Sequence, residues 1–462
     1  MNSVWQQLML MRLSTYQWRR SSFLLRLVGL LNTWRRGSWL MQWSDEIAVI
    51  LLSLVFGLAP FVPNPMIGIL LVACAGFWVL LTLSDDAEGA SKLTPIHLLV
   101  LLYWGISVVT TALSPVKAAA LTGLTKLTLY LLVFALLERV VRSPRWRSWL
   151  ITLYLHVALV VTLYGLRQWL FGAEALATWT DPESSLSNTT RVYSYLDNPN
   201  LLAAYLLPAI PLSIAAIFAW RGWIPKLLAA IMASLNTACL VLTFSRGGWI
   251  GLVVAIFVSA LLLLYWLLPQ LSRFWRIWAL PILLGSLLGI LLLGVLFVEP
   301  LRDRAASIFA NRQDSSNNFR INVWAAVREM IRDRPLLGIG PGNVAFNKIY
   351  PLYQRPRYTA LGAYSIYLEI MVETGLIGFT CFLWLLLVLL NQGWTQIQRL
   401  RAQRSREIFW LIAAIATLLG MLSHGAVDTV WYRPEVATLW WFMVALITSY
   451  YIPVLDPTHQ EL

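Results

Sequence analysis

Apolar residues along this chain gather into long unbroken runs and do not alternate with polar ones. Runs of about 18 or more read as helices that cross a bilayer, whereas a membrane β-barrel would show alternating segments of roughly ten residues. The runs predict crossings at 46–61, 65–83, 95–113, 118–138, 148–170, 199–219, 225–244, 247–268, 277–298, 363–391, 407–425 and 434–453. The first is short, and Lys117 and Lys126 interrupt the fourth. The fold class that follows is all-α: a polytopic membrane protein of about twelve transmembrane helices, with one large extracytoplasmic loop bearing an amphipathic helix. Its parts are a basic interfacial segment 1–45, helices one to nine in 46–298, the large loop 299–362, helices ten to twelve in 363–453, and a tail 454–462. No internal repeat relates 46–244 to 247–453, which counts against an inverted-repeat transporter.

One stretch, Asn318 to Gly375, departs from this pattern and organises the rest. It opens with an amphipathic segment, Arg320 to Asp333. There Arg320 and Arg328 are expected on one helix face with Arg332, and Ile321, Trp324, Val327 and Ile331 opposite. Such a helix is expected to lie flat on the membrane and offer a cationic stripe. A glycine-rich turn follows, Leu337-Gly-Ile-Gly-Pro-Gly-Asn343, and the chain re-enters the membrane at Ala363 to Gly375.

Composition agrees: 59% of residues are hydrophobic and 12% charged, against about 25% charged in soluble domains. The net charge of +13 is read mainly as topological. With the Arg-rich N-terminus inside, the basic loops 139–147, 221–226, 273–276 and 399–406 fall inside too; only 84–94, acidic through Asp85, Asp86 and Glu88, dissents. Both termini are then cytoplasmic, in the plasma (inner) membrane. Arg12, Arg19, Arg20, Arg26, Arg35 and Arg36 suit an interfacial segment, and no cleavable signal peptide is expected. Segments 171–198, 245–248, 299–361 and 426–433 fall outside.

The long outer segment carries nine Arg and Lys348, which calls for an anionic partner. The partners expected are membrane lipid and either an anionic small molecule or a lipid-linked diphosphate glycan. Nucleic acid is not expected, for want of a soluble domain to carry it. Cys74, Cys239 and Cys381 lie in apolar runs and read as small core residues. The sequence gives no oligomeric state.

Candidate chemistry lies at the predicted outer ends of the spans. Arg246 in Thr243-Phe-Ser-Arg246-Gly-Gly should face protein, a water cavity or an anion, since a cation at membrane depth costs about 2.5–3.5 kcal/mol. Asp197-Asn-Pro-Asn200 reads as a helix start whose free N–H groups suit an anion. Candidate anion-binding residues are Arg246, Arg320, Arg328, Asn200 and Arg433. Candidate catalytic residues are Tyr364, His424 and Asp428. Glu369 and Glu373, one turn apart, could relay protons or pair with a cation. No metal-binding or cofactor motif occurs, so neither a metal nor a cofactor is expected.

Taken together, Asn198-Pro-Asn200 with Leu202-Ala203, Ser245-Arg246-Gly247, Arg320 with Trp324, Pro335-Leu-Leu-Gly338-Ile-Gly340 and Glu373-Thr-Gly375 resemble the O-antigen ligase and polymerase superfamily over most of 190–450. The resemblance implies about twelve spans, a large periplasmic loop late in the chain, and arginines that hold a lipid-linked diphosphate. Ala363-Tyr364-Ser365-Ile366-Tyr367-Leu368-Glu369 and the run from Ser423 to Glu435 look like the cyanobacterial IctB branch, named for inorganic-carbon (bicarbonate) transport. One departure concerns the chemistry. The glycan ligases carry a His-Asn pair where this chain has Tyr364-Ser365, and a tyrosine with an ordinary pKa of about 10 is a poor base. The resemblance implies bicarbonate transport or accumulation as the first reading. The alternative is transfer of a polyprenyl-diphosphate-linked glycan at the periplasmic face.

Overall fold

The structure is a computed structural model and describes residues 2–10, 28–85, 93–173, 191–297, 299, 302–303, 305–306 and 311–452. Arg12, Arg19, Arg20, Arg26, Asp86, Glu88, Arg304 and the tail 454–462 lie outside the described residues, as does most of the segment 171–198.

The described chain is helical throughout and contains no strand. After α1 (Asn2–Leu8), α2 (Asn32–Gly37) and α3 (Trp39–Gln42) come α4 (Ser44–Leu58), α5 (Asn64–Ser84), α6 (Pro95–Ala112), α7 (Lys117–Val141) and α8 (Pro144–Phe171). Then follow α9 (Pro199–Leu206), α10 (Ala209–Ala219), α11 (Trp223–Leu242), α12 (Arg246–Leu267) and α13 (Arg273–Phe297). The remainder comprises α14 (Ser315–Asp333), α15 (Asn343–Ile349), α16 (Ile366–Ala402), α17 (Ile408–Gly425) and α18 (Pro434–Ser449).

Among the described residues, ten helices are long and apolar enough to cross a membrane, with α9 and α10 counted as one. The first and last predicted crossings are shorter: α4 has 15 residues and α18 has 16. The lysines that interrupt the fourth predicted crossing do not break it, and α7 runs unbroken through both over 25 residues. Inside α7, Thr128 Oγ1 donates to the Leu124 carbonyl of the preceding turn at 2.8 Å, so it needs no partner from lipid.

Helix α17 is the hub, with 89% of its apolar window buried, whereas α13 buries none of its window. The contact of α12 with α17 depends on small residues. An added Cβ would lie 2.6 Å from His424 Cδ2 at Gly247 and 2.8 Å from the Gly420 carbonyl oxygen at Gly251. Close approach of this kind is how helices associate where no water is present to drive them together. Here it seats His424 directly beside the start of α12.

Basic residues of the N-terminal segment and of loops 139–147 and 399–406 are held in local networks. Asp85 joins Arg35 (2.6 Å) and Arg139 (2.5 Å), tying the N-terminal segment to the end of α7. Arg147 pairs with Glu407, which leads into α17, and stacks on Tyr450 at 4.1 Å. Arg399 donates to the Tyr450 carbonyl at 3.1 Å.

The loop region is built into the bundle. The tenth predicted crossing starts later and runs further than expected, as α16, with a break at Gly375 (φ 66°). The break leaves carbonyls of the preceding turn without helical partners. Ile339 N–H donates to the Val372 carbonyl and Gly340 N–H to the Glu373 carbonyl, both at 2.9 Å; Leu376 N–H donates in turn to the Pro335 carbonyl at 2.8 Å. The glycine-rich turn thus completes the interrupted ladder of α16. A side chain at Gly375 would strike the Leu336 carbonyl at 2.2 Å.

The amphipathic helix forms as α14, and one of its faces packs on protein. Its buried residues are Asn322, Val323, Ala325, Ala326, Val327 and Met330, and the apolar stripe Val323, Ala326, Val327 and Met330 packs with Ile339, Phe346, Tyr350 and Val372. Ile321, Trp324 and Ile331, assigned to the apolar face, are only partly buried. The helix repeat explains this: at 100° per residue Ile321 falls between Arg328 and Arg332, not opposite them.

Candidate functional site

At three helices that begin at the loop-bearing end, a strained residue precedes the N-cap. Asp197 (φ 54°) precedes Asn198 of α9, Phe244 (φ 51°) precedes Ser245 of α12, and Tyr364 (φ 51°) precedes Ser365 of α16. A left-handed backbone at Phe or Tyr is uncommon and costs on the order of 1–3 kcal/mol, and such strain gathers at functional sites. Two of the caps are closed by side chains. Asn198 Oδ1 accepts from the N–H groups of Asn200 (2.8 Å) and Leu201 (3.1 Å), and Ser245 Oγ accepts from Gly248 N–H (3.2 Å).

Arg246 opens α12 and is 7% exposed. Its Nη1 donates to Asp314 Oδ1 at 3.0 Å, and Asp314 caps α14. Arg320, two turns into α14, donates to Ser316 Oγ at 2.8 Å and faces Asp428 Oδ2 at 4.0 Å. Arg191 donates to the Thr243 carbonyl at 3.0 Å and to Asn200 Oδ1 at 3.2 Å. These guanidinium groups feel one another. Burial is the main cause that lowers Arg191 to about 10; the charges of Arg246 and Arg320 act the same way, and Asp428 opposes them.

Each segment predicted to lie on the outer side therefore contributes to one cluster. The region 171–198 gives Arg191, the turn at 245–248 gives Arg246, the long loop gives Arg320, and 426–433 gives Asp428. His424 is buried, and Asp428 and Arg320 both act on it electrostatically. Neither of its ring nitrogens has a protein hydrogen-bond partner, and Arg320 Nε is likewise buried without one. Buried polar atoms of this kind are costly, and an oxyanion would satisfy the arginine donor.

Tyr364 lies within reach of the charges of Asp428 and Arg320. Its N–H donates to Thr429 Oγ1 at 3.2 Å. Burial first, then Asp428 and Tyr432, push its hydroxyl up to about 12, with Arg320 opposing. It is therefore a hydrogen-bond donor at neutral pH and not a base.

Two expected site residues stand apart. Arg328 is exposed, on the face of α14 away from the buried stripe, because eight residues of helix rotate it about 80° from Arg320. Arg433 is partly exposed and faces Glu435 of its own segment at 3.9 Å. Glu373, suggested as salt-bridged, accepts instead from the Gly342 N–H. Sequence reasoning missed Arg191 and Asp314. Arg191 is the only Lys or Arg in 171–198, just ahead of the Asn-Pro-Asn start, which was the available signal. Asp314 precedes a Ser-Ser-Asn run that reads as a helix start. Among the described residues no cluster of His, Cys, Asp and Glu could hold a metal ion.

A family model described as O-antigen ligase matches residues 227–383, less than half of the chain. The matched segment carries Arg246, Asp314, Arg320, the glycine-rich turn, Tyr364 and the break at Gly375; Arg191, Asn200, His424 and Asp428 lie outside it. Over this segment the chain is similar to O-antigen ligases, and the match supports that superfamily. No curated protein matches the chain.

Proposed function

We propose that the protein transfers a glycan from a polyprenyl-diphosphate carrier to an acceptor hydroxyl at the outer face of the plasma membrane. The observation that carries this reading is the convergence of Arg191, Arg246 and Arg320 beside Asp428 and His424, with the family match spanning the segment that supplies two of those arginines. The guanidinium groups suit a diphosphate, whose charge grows as it departs. The acceptor oxygen bonds to the anomeric carbon while the bond from that carbon to the diphosphate oxygen breaks. The leaving diphosphate takes the electron pair, and the acceptor proton passes to the His424 imidazole. In this reading His424, held by Gly247 against α12, does the work of the histidine that Tyr364 replaces.

The bicarbonate reading rests on the IctB-like runs at 363–369 and 423–435, and the family match gives it no specific support. Its place as first reading is therefore lost.

The test uses purified protein in liposomes with a polyprenyl-diphosphate-linked oligosaccharide and an acceptor glycan. Product should form, and Arg320→Ala and His424→Ala should each lose most of it. Saturable uptake of labelled bicarbonate by the same liposomes, with no glycan product, would overturn the proposal.

A further inference from the structure

A cavity of about 190 Å³ lies among α6, α7, α16 and α18. That is far more than the ~10–15 Å³ one water needs and less than the ~300 Å³ at which pockets for drug-sized molecules begin. It suits one small ring. The cluster described above does not use it.

The lining has three kinds of surface. Glu369 and Glu373 bring carboxyl groups, Lys126 and the indole of Trp431 bring donors, and Trp440 and Trp441 bring aromatic rings. Trp431 Nε1 is buried without a protein hydrogen-bond partner, and its ring stacks on Trp440 with centroids 3.9 Å apart. Local bonds fix the two carboxylates. Glu369 Oε2 accepts the Ala363 N–H at 2.5 Å, and Glu373 accepts the Gly342 N–H.

We infer that this cavity binds a neutral sugar ring, the terminal residue of the acceptor glycan. A sugar hydroxyl both donates and accepts, so it needs acceptors and donors together, which this lining supplies. The apolar face of a pyranose suits the flat tryptophan rings. The other small ligands fit worse. An ammonium group would meet Lys126, and a phosphate would find the acceptor oxygens of Glu369 and Glu373 where it needs donors. The cavity also adjoins the chemistry. Thr429 and Glu369 line it; Thr429 Oγ1 holds the Tyr364 backbone, and Thr429 N–H donates to Asp428 Oδ1 at 2.9 Å. A sugar seated here would hold a hydroxyl near Thr429, the neighbour of Asp428.

Naming this sugar as the acceptor rests on the transferase reading; its binding does not. Saturation-transfer NMR on the detergent-solubilised protein separates the two, with galactose, glucose and N-acetylglucosamine as probes and ethanolamine and inorganic phosphate as comparators. At least one sugar should give saturable transfer that Glu373→Gln and Trp431→Phe each weaken at least fivefold and Arg320→Ala leaves intact. Gln keeps the acceptor for Gly342 and Phe keeps the ring, so both variants should fold. In the transfer assay the same two variants should raise the acceptor KM and leave the donor KM unchanged. Sugar binding without any glycan transfer would leave the subsite standing and remove its acceptor role. No sugar signal, a signal lost in Arg320→Ala, or saturable ethanolamine binding in its place would overturn the inference.

Discussion

Arg246 and Asp314 are joined at 3.0 Å through Oδ1, the same oxygen that accepts the Asn317 N–H at 2.8 Å. One carboxylate therefore caps the loop helix α14 and steadies the arginine at the head of α12. Asp314→Ala removes both. The lost cap should cost about 1 kcal/mol of local stability, and Arg246 would stay buried beside other cations with less counter-charge. Hydrogen exchange across 315–333 should quicken, and glycan transfer should fall by about tenfold. Unchanged protection in 315–333 would refute the capping role.

Arg320 and Arg328 share a helix but not a role. A hydrogen bond to a charged group is worth about 1.5–3 kcal/mol, so Arg320→Ala should slow transfer by roughly 10- to 150-fold. Arg328→Ala, at an exposed position, should stay within about twofold of the parent protein. Equal losses in both variants would mean that the whole cationic face of α14 matters, and not the one side chain turned toward Asp428.

Arg191 supplies a test that needs no turnover. Its guanidinium is disfavoured chiefly by burial and then by Arg246, and a bound polyanion would relieve that cost. Inorganic pyrophosphate should raise the Tm of the parent protein, by an amount equivalent to about 2.7 kcal/mol at a hundredfold excess over Kd. Arg191→Gln should lose most of the rise. An equal rise in both would place the anion elsewhere.

Tyr364 carries a pH prediction. Its hydroxyl is raised to about 12, first by burial, above the ordinary value of about 10. Because the folded value is the higher one, its contribution to stability is complete below about pH 10 and is lost as pH climbs toward 12. Between roughly pH 6 and 9 the phenol stays protonated. Tyr364→Phe should therefore leave the shape of the pH–rate profile unchanged while lowering its height. A limb that vanishes with the hydroxyl would show that the tyrosine titrates during turnover.

The long apolar runs were legible because a bilayer requires each span to satisfy its own backbone, and few sequences can do that. The lysines at 117 and 126 interrupt the apolar pattern of the predicted crossing at 118–138 without breaking the helix, because the backbone ladder does not depend on them. That the segments 171–198, 245–248, 299–361 and 426–433 share one side was legible from charge, and Arg191, Arg246, Arg320 and Asp428 mark where they meet. Periodicity alone could not say which way α14 faces, because Asn322 and two alanines fill a buried stripe that hydrophobicity does not mark. Arg191 escaped notice because one cation in a polar stretch looks ordinary until Asn200 and Thr243 are seen to hold it.

The stitching of residues 335–340 to the break at Gly375 bears on how this protein could be re-engineered. The loop is not a detachable module. Exchanging it with that of a relative would strip Val372 and Glu373 of their hydrogen-bond donors unless the first half of α16 travelled with it. A chimera cut at Gly375 and Pro335 would divide a single folding unit, whereas one cut well below the break, inside the uninterrupted helix, would carry the whole joint across intact.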